Sequence, residues 1–319
     1  GRHVMTRVVG VIGGGQLARM MTPPAINLGL EIYVLAKENY ESAKIAVTAL
    51  GDHTDAAAVL NFARECDVVT FDHEHVPQSV LAQLVDAGVN VHPKPEALLY
   101  AQDKLLMRER LAQLGVPIPG WAQVTTAGEV DDFIAEYAGR AVVKTPRGGY
   151  DGKGVRVVTS SAEVADWLSA LEPGESLLVE EFVSFTRELA QMIARRPNGE
   201  IALWPVVETV QANGVCSEVI APAPSSAGKV ADMAADIATT IANGLDVTGV
   251  RGEVPGERGR GLGGVEPVVG VEIHGRHAVG SVEAEHNVDA LGGREVAFFR
   301  SLRPGQRQRQ KDKHRDPGP

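Results

Sequence analysis

The chain is poor in cysteine, in basic residues and in long apolar runs. Its 319 residues include only Cys66 and Cys216, too few for a disulfide framework or a cysteine zinc site, which suits a reducing cytosol. No apolar run approaches the roughly 18 residues that span a bilayer. Basic residues number 31 against 41 acidic ones, which argues against generic nucleic-acid binding. We therefore expect a cytoplasmic protein with neither a membrane nor a nucleic-acid partner.

The charge is uneven along the chain. Residues 251–319 contain 10 Arg, 2 Lys and 10 acidic residues, a net charge of +2, and also 13 of the 35 glycines. Residues 1–250 therefore carry 19 basic and 31 acidic residues, a net of −12 within the total of −10. The sequence thus joins an acidic segment of ordinary composition to an Arg/Gly-rich tail.

Strand and helix patterns alternate in residues 5–101. Short apolar runs predict buried strands, and the segments between them have helical patterns. The predicted strands are Val8–Ile12, Glu31–Leu35, Asp67–Phe71 and Val89–His92, and the predicted helices are Gln16–Leu28, Ala56–Glu65 and Gln78–Asp86. Pro23 and Pro24 should interrupt the first helix. The alternation predicts an α/β fold in which this region is a Rossmann-like domain with a doubly wound parallel sheet.

Residues 102–250 form the next block of predicted helices and strands, and its last two strands look antiparallel. The predicted helices are Lys104–Leu114, Ala162–Ala170 and Lys229–Asn243, and the predicted strands are Ala141–Thr145, Val155–Val158, Ser176–Glu180, Glu188–Arg195 and Ile201–Val207.

A first glycine run, 13–15, follows the first strand and continues as Gln16-Leu17-Ala18, which fits G-x-G-x-x-A. Small residues at a helix N-terminus let a phosphate approach backbone N–H groups. A dinucleotide-binding fold also requires an acid at the end of the second strand, where this chain has Lys37. Nicotinamide or flavin binding, another phosphate ligand, and a tight turn without a ligand all remain open.

A second glycine run, 147–154, lies between two predicted strands. The entering strand carries Lys144, and the run contains four glycines with Asp151 and Lys153. A loop of this kind can fold over nucleotide phosphates while lysines supply charge, although the spacing is not that of a P-loop. A hairpin without a ligand is the alternative.

An acidic strand end, 179–183, follows the second glycine run. Its backbone could contact an adenine edge, and Glu188 could accept ribose hydroxyls, although a solvated acidic edge is the alternative. His73 and His75 should alternate on a strand with Glu74 on the opposite side, which is a poor metal site. We interpret Cys216 as a core residue.

Six motifs occur in an order that is similar to one known family. They are Gly13–Met20, Thr70–Pro77, Gln102–Lys104, Val143–Gly154, Glu180–Val183 and Ser217–Pro224. Over about residues 7–250 the chain resembles the 5-(carboxyamino)imidazole ribonucleotide synthases, ATP-grasp enzymes of purine biosynthesis. The resemblance implies that 102–250 is a separate α+β ATP-grasp domain that is C-terminally incomplete. It also implies a carbon–nitrogen ligase that uses ATP to convert bicarbonate to carboxyphosphate and then carboxylates 5-aminoimidazole ribonucleotide, releasing ADP and phosphate.

The resemblance also implies roles for individual residues. ATP would be bound by Lys104, Lys144, Gly149, Tyr150, Asp151, Gly152, Lys153, Gly154, Val155, Glu180, Glu181, Phe182, Val183, Glu188 and Gln211. The ribonucleotide would be bound by Gly14, Gly15, Gln16, Leu17, Glu74, Tyr150 and Asp151, and the catalytic residues would be Lys153, Tyr150 and Asp151. The implied cofactors are ATP and Mg²⁺, and the intact members of the family are commonly homodimers. A formate-dependent ribonucleotide formyltransferase, a nicotinamide-dependent oxidoreductase and a non-catalytic nucleotide-binding remnant are the alternatives.

The resemblance ends at Val250. The family continues with acidic strands, whose carboxylates hold magnesium, and with an Arg-Pro-His-Asn stretch, and none of these appears in residues 251–319. No metal ligand is therefore identifiable. We interpret this tail as frameshifted or disordered, in preference to a divergent genuine tail or a functional basic one. We expect weak or absent activity, and an ATP-grasp sheet that lacks strands and exposes an unpaired edge.

Overall fold

The computed structural model describes residues 6–148, 154–212 and 215–249, together with the backbone of short strands between residues 269 and 298. The described parts of 1–118, 187–208 and 220–301 form one compact unit, and those of 119–186 and 209–219 belong to a second. Residues 102–118 thus lie in the same unit as the Rossmann-like region. The compact units therefore cut across the predicted boundary between residues 101 and 102.

A parallel sheet of four strands opens the first unit. Its strands are β1 (Val8–Ile12), β2 (Glu31–Ala36), β3 (Val47–Leu50) and β4 (Val68–Phe71), in the order β3-β2-β1-β4. The helices of this region are α1 (Gln16–Asn27), α2 (Ala56–Ala63), α3 (Gln78–Asp86), α4 (Pro95–Gln102) and α5 (Lys104–Gln113). The predicted parallel α/β fold is confirmed. The predicted strand Val89–His92 is wrong, because this segment makes only a single parallel bridge, from Val91 to Val69.

Helix α1 continues through Pro23 and Pro24, contrary to the sequence prediction. Ala18 and Met21 on its inner face are buried against Val11 of β1 and Val34 of β2. Burial of this apolar face offsets the hydrogen bonds that the two prolines cannot donate.

The second unit contains an antiparallel sheet with the order β5-β8-β6-β7. Its strands are β5 (Trp121–Val124), β6 (Ala141–Lys144), β7 (Val155–Val158) and β8 (Leu177–Glu181), and its helices are α6 (Ala127–Glu136) and α7 (Ala165–Ser169). Thr126 and Glu129 form a capping box at the start of α6. Helix α6 buries Val130 and Phe133 in the same cluster as Val143 and Val179 of the sheet. This packing fixes the two strands, β6 and β8, that carry candidate site residues.

The first unit is completed by residues far along the chain. Its later elements are β9 (Glu188–Arg195), β10 (Ile201–Leu203) and α8 (Lys229–Gly244). The strands β11 (Val207–Ala212) and β12 (Val215–Ile220) each have residues in both units, because residues 209–219 belong to the second unit. Helix α8 buries Ile241 in one cluster with Leu111 of α5 and Ile193 of β9. The Arg110 guanidinium also donates to the Gly244 carbonyl at 2.9 Å.

The segment after α8 is hydrogen-bonded to the N-terminal region. The Thr248 Oγ1 lies 2.7 Å from Nδ1 of the buried His92, and Asp246 accepts from Lys94 at 2.6 Å and from Arg195 at 2.9 Å. Burial, together with the charge of Lys94, lowers the pKa of His92. These contacts fix the last residues before the resemblance ends.

The backbone of β13 (Val269–His274) pairs antiparallel with β9, from Val269 opposite Ile193 to His274 opposite Glu188. β14 (His277–Gly280) pairs with β13 in turn. The alternating valine and isoleucine residues of the tail thus form a strand beside β9, in a sheet that was expected to lack strands and to expose an unpaired edge. In the described part of the chain, no helix is long and apolar enough to cross a membrane.

Candidate functional site

Two oppositely charged side chains are buried together in the antiparallel sheet of the second unit. Lys144, the last residue of β6, forms an ion pair with Glu180 of β8, and their side chains are only 3% and 2% exposed. The strand register places Glu180 opposite Val142 and Lys144 opposite Leu178, so the pair is a diagonal neighbour on one face. Charges removed from water in this way require close pairing, and they are common at functional sites. Both residues are among those predicted to bind ATP.

The second glycine run connects β6 to β7, as predicted. The Thr145 N–H donates to the Gly154 carbonyl at 3.0 Å, which closes the base of the loop, and Gly148 has a positive φ of 68°. Val155 begins β7 opposite Lys144. The predicted site residues Gly149, Tyr150, Asp151, Gly152 and Lys153 lie outside the described residues.

The segment after β8 is held from two sides within the second unit. The Glu181 N–H donates to the Gly120 carbonyl at 2.8 Å, and the Gly120 N–H donates to the Glu181 carboxylate at 3.2 Å. The guanidinium of Arg140 lies 3.7 Å from the centroid of the Phe182 ring, a cation–π contact. Glu181 and Phe182 thus use their side chains to fix the segment, which continues to Val183. The backbone groups of Phe182 and Val183 are the ones predicted to contact an adenine edge.

The remaining predicted ATP residues lie on three different elements. Lys104 is the first residue of α5, and the preceding Asp103 caps this helix by accepting from the N–H groups of Leu105 and Leu106 at 3.0 and 3.1 Å. Glu188 is buried at the start of β9. Gln211 lies on β11, with its side chain outside the described part of the structure.

The first glycine run forms the turn between β1 and α1, and the side chain of Asp72 is hydrogen-bonded to this turn. The Asp72 carboxylate accepts from the N–H of Gly15 at 3.1 Å and from the N–H of Ala18 at 2.7 Å. Burial raises the pKa of Asp72, an effect that these backbone donors oppose. Sequence reasoning missed this role. The available signal was that Asp72 directly follows β4, which lies beside β1 in the sheet.

The predicted substrate residues of this turn differ in how far solvent reaches them. Gly14 and Leu17 are buried, Gly15 is half-buried and Gln16 is exposed. Lys37 follows β2, at the position where a dinucleotide-binding fold has a ribose-binding acid. Its ammonium group pairs with Asp52 at 3.3 Å. A lysine at this position disfavours a dinucleotide at the turn.

The segment His73-Glu74-His75 follows β4 as a loop, so the predicted strand geometry is wrong. The rings of His73 and His75 are 5.1 Å apart, and His53 contacts His73 edge to face at 4.6 Å. Burial, with smaller effects of His53 and His75, lowers the pKa of His73 to about 3. Among the described residues, no group of three or more His, Cys, Asp or Glu side chains could hold a metal ion.

Gln102 supports the Glu74 loop, which is a second role that the sequence did not reveal. Its side-chain amide donates to the carbonyl groups of Glu74 at 2.8 Å and Val76 at 2.6 Å. Its Oε1 in turn accepts from Gln78 at 2.9 Å. The motif Gln102-Asp103-Lys104 therefore combines a loop support, a helix cap and a predicted ATP ligand in consecutive residues.

Two family models match this architecture. Residues 5–102 match the ribonucleotide synthetase preATP-grasp domain, and residues 109–253 match the ATP-grasp domain. These two parts of the chain are therefore similar to the two domains that the family models describe.

The relatives of this chain include N5-carboxyaminoimidazole ribonucleotide synthases, which are the same enzymes as the 5-(carboxyamino)imidazole ribonucleotide synthases that the sequence resembles. The resemblance is therefore confirmed. The protein from Corynebacterium ammoniagenes is 46% identical over 246 residues, covering 76% of this chain and 60% of the relative. The protein from Mycobacterium tuberculosis (strain ATCC 25618 / H37Rv) is 46% identical over 246 residues, covering 76% of this chain and 57% of the relative. The chain thus spans about 60% of the length of these curated relatives.

Solved structures of the same kind of enzyme share the fold. The N5-carboxyaminoimidazole ribonucleotide synthetase of Thermus thermophilus has a TM-score of 0.70 at 27% identity, covering 92% of this chain and 70% of that one. The synthase of Aspergillus clavatus, in complex with ADP and 5-aminoimidazole ribonucleotide, has a TM-score of 0.69 at 27% identity, covering 84% and 66%.

Proposed function

We propose that this chain carries the nucleotide- and ribonucleotide-binding parts of an N5-carboxyaminoimidazole ribonucleotide synthase. In the proposed reaction, a bicarbonate oxygen attacks the γ-phosphorus of ATP and ADP leaves. The resulting carboxyphosphate breaks down to CO₂ and phosphate. The exocyclic amine of 5-aminoimidazole ribonucleotide then attacks CO₂, loses a proton and becomes the carboxyamino group.

The observation that carries this proposal is the buried ion pair of Lys144 and Glu180. Lys144 lies three residues before the glycine-rich loop, and Glu180 lies in the strand end 179–183 that is proposed to contact adenine. A fixed ammonium beside such a loop suits phosphoryl transfer, which depends mainly on positioning and on preorganised charge. We assign Lys104, Glu188, Gln211 and the loop Gly149–Val155 to ATP as well, with Tyr150, Asp151 and Lys153 as catalytic residues.

The ribonucleotide is proposed to bind in the first unit, at the turn Gly14–Leu17 and at Glu74. Gln102 holds the backbone of Glu74 through its contact with the Glu74 carbonyl. The resemblance assigns Tyr150 and Asp151 to the ribonucleotide as well.

Mg²⁺ is the cofactor that these residues fit least well. Within the described ranges no acidic cluster of the required kind occurs, and the sequence after Val250 lacks the family's acidic strand motifs. We therefore assign no metal ligand and no step to the metal, and we propose that turnover by this chain is very weak. A cytoplasmic location and a homodimer are part of the same proposal.

Ligand binding and turnover test separate parts of the proposal. We expect ATP and 5-aminoimidazole ribonucleotide each to raise the thermal unfolding temperature of the full chain, and NAD to have no effect. Stabilisation by NAD and not by ATP would favour the oxidoreductase alternative and contradict the proposal.

Turnover is measured as ADP release that depends on bicarbonate and the ribonucleotide. Robust release would show that the tail does not impair the enzyme. Release that depends on formate instead of bicarbonate would favour the formyltransferase alternative.

A further inference from the structure

Asp72 occupies the position at the N-terminus of α1 where a phosphate would bind in a dinucleotide fold. Its two carboxylate oxygens accept hydrogen bonds from the N–H groups of Gly15 and Ala18, at 3.1 and 2.7 Å. The exposed N–H groups and the dipole of a helix N-terminus favour a negative group there. In this protein the negative group is supplied from within, at the end of β4.

The glycines of the turn make room for this carboxylate. A Cβ atom on Gly15 would lie 2.2 Å from Asp72 Oδ2, and one on Gly13 would lie 2.8 Å from the Asp72 Cβ. The pairing of Ile12 with Phe71 brings the ends of β1 and β4 side by side, which explains the close approach. The glycine pattern that resembles a phosphate-binding turn is therefore accounted for by an internal carboxylate.

A second carboxylate flanks the same turn. A Cβ atom on Gly14 would lie 2.8 Å from Glu41 Oε2, while the other oxygen of Glu41 accepts the Glu38 N–H at 2.8 Å. Two acidic groups beside one short turn repel an incoming phosphate. The buried Gly14 and Leu17 leave Gln16 as the exposed side chain among the four predicted substrate residues of the turn.

We propose that Asp72 is a positioning residue that fixes the turn at Gly15–Ala18, excludes phosphates from it, and presents Gln16 to the uncharged ribose and imidazole part of the ribonucleotide. This inference rests on the proposed function for the identity of the ribonucleotide. The exclusion of phosphate does not depend on it.

The first test compares ligand affinities of the full chain and of the Asp72→Asn variant by calorimetry. Asparagine keeps the shape of the side chain but loses the charge and replaces one acceptor with a donor. We expect affinity for 5-aminoimidazole ribonucleotide to fall about tenfold or more, and affinity for ATP to change less than about twofold, because a charged hydrogen bond is lost only at the turn. Equal loss of both affinities, or unchanged affinity for the ribonucleotide, would overturn the positioning role.

Asp67→Asn is the matched control. Asp67 lies at the other end of β4, and its carboxylate accepts the Val8 N–H of the same neighbouring strand at 2.7 Å. This variant should leave both affinities unchanged, and circular dichroism should show that all variants are folded.

The second test uses inorganic pyrophosphate with the Asp72→Ala variant, which vacates the anion position. We expect pyrophosphate to slow hydrogen exchange of the backbone amides of residues 13–21 in this variant and to have no such effect in the unmodified chain. Protection in both proteins, or in neither, would overturn the exclusion of phosphate. If the unmodified chain binds no ribonucleotide, the proposed function fails and the assignment to ribose and imidazole falls with it, while the pyrophosphate result still decides the exclusion of phosphate.

Discussion

Lys144 and Glu180 form an ion pair whose side chains are 3% and 2% exposed, on adjacent strands of the second unit. Removing either partner leaves the other charge buried without its ion pair, which typically destabilises a protein by about 3–5 kcal/mol. We therefore expect Lys144→Met and Glu180→Gln each to lower the free energy of unfolding in urea. Both should also weaken ATP binding.

The double variant Lys144→Met/Glu180→Leu separates stability from binding. It removes both charges, so we expect most of the lost stability to return, since apolar replacement of a buried pair is often neutral. ATP affinity should stay low. Recovery of ATP affinity in the double variant would show that the pair has only a structural role.

Asp103 caps the N-terminus of α5, the helix that begins with Lys104. We expect Asp103→Ala to destabilise the protein by about 1 kcal/mol, the usual effect of losing an N-cap, and to reduce ATP affinity because the first turn of α5 loosens. Asp55→Ala is the control, since Asp55 caps α2 in the same way and accepts from Ala57 at 3.0 Å. The control should lose similar stability without any change in ATP affinity, and an equal effect of both variants on ATP would contradict the proposed role of Lys104.

Substitution of Gln102 should weaken binding of 5-aminoimidazole ribonucleotide and leave binding of ATP unchanged. The Gln102→Leu variant loses the hydrogen bonds to the carbonyls of Glu74 and Val76. We expect affinity for 5-aminoimidazole ribonucleotide, measured by calorimetry, to fall about tenfold, and ATP affinity to be retained. Gln83→Leu on α3, whose side-chain amide donates to the Ser79 carbonyl of the same helix at 3.2 Å, should change neither affinity. Weaker ATP binding in Gln102→Leu would indicate a general loss of structure.

Stability should fall as the pH falls below about 6.5. Burial lowers the pKa of His73 to about 3 and also lowers the pKa of His92 and of His53. Between pH 6.5 and the lowered pKa, the unfolded chain binds a proton that the folded chain does not. The free energy of unfolding therefore decreases with falling pH, by up to about 1.4 kcal/mol per pH unit for His73.

Urea unfolding of the chain between pH 7.5 and pH 5 measures this slope. The His73→Asn variant should show a shallower decrease, because one of the depressed histidines is gone. Identical slopes in the two proteins would show that His73 does not titrate as its burial implies.

Sequence reasoning was accurate where one strong local signal decides the structure. The apolar runs at Val8–Ile12 and Glu188–Arg195 appear as strands with the predicted bounds. It predicted helix α1 but wrongly expected an interruption at Pro23 and Pro24, where burial of Met21 and Ala25 outweighs the two prolines. It also missed β3, because Val47–Leu50 has too few residues for a recognisable pattern. Side-chain partners such as Asp72 and Gln102 could not be predicted. Their contacts join residues 54 to 57 and 26 to 28 positions apart, which no local pattern encodes.

The hydrophobic cluster shared by α5, β9 and α8 also constrains the order in which the protein can fold during synthesis. Met107 and Leu111 emerge from the ribosome early, yet they pack with Ile237, Ile241 and Val247. The sheet of the second unit has all four of its strands within residues 121–181, so it can form first. Until about residue 247 has been made, the apolar face of α5 stays exposed while a later segment folds, and this interval is when a nascent chain is most open to chaperones and to aggregation.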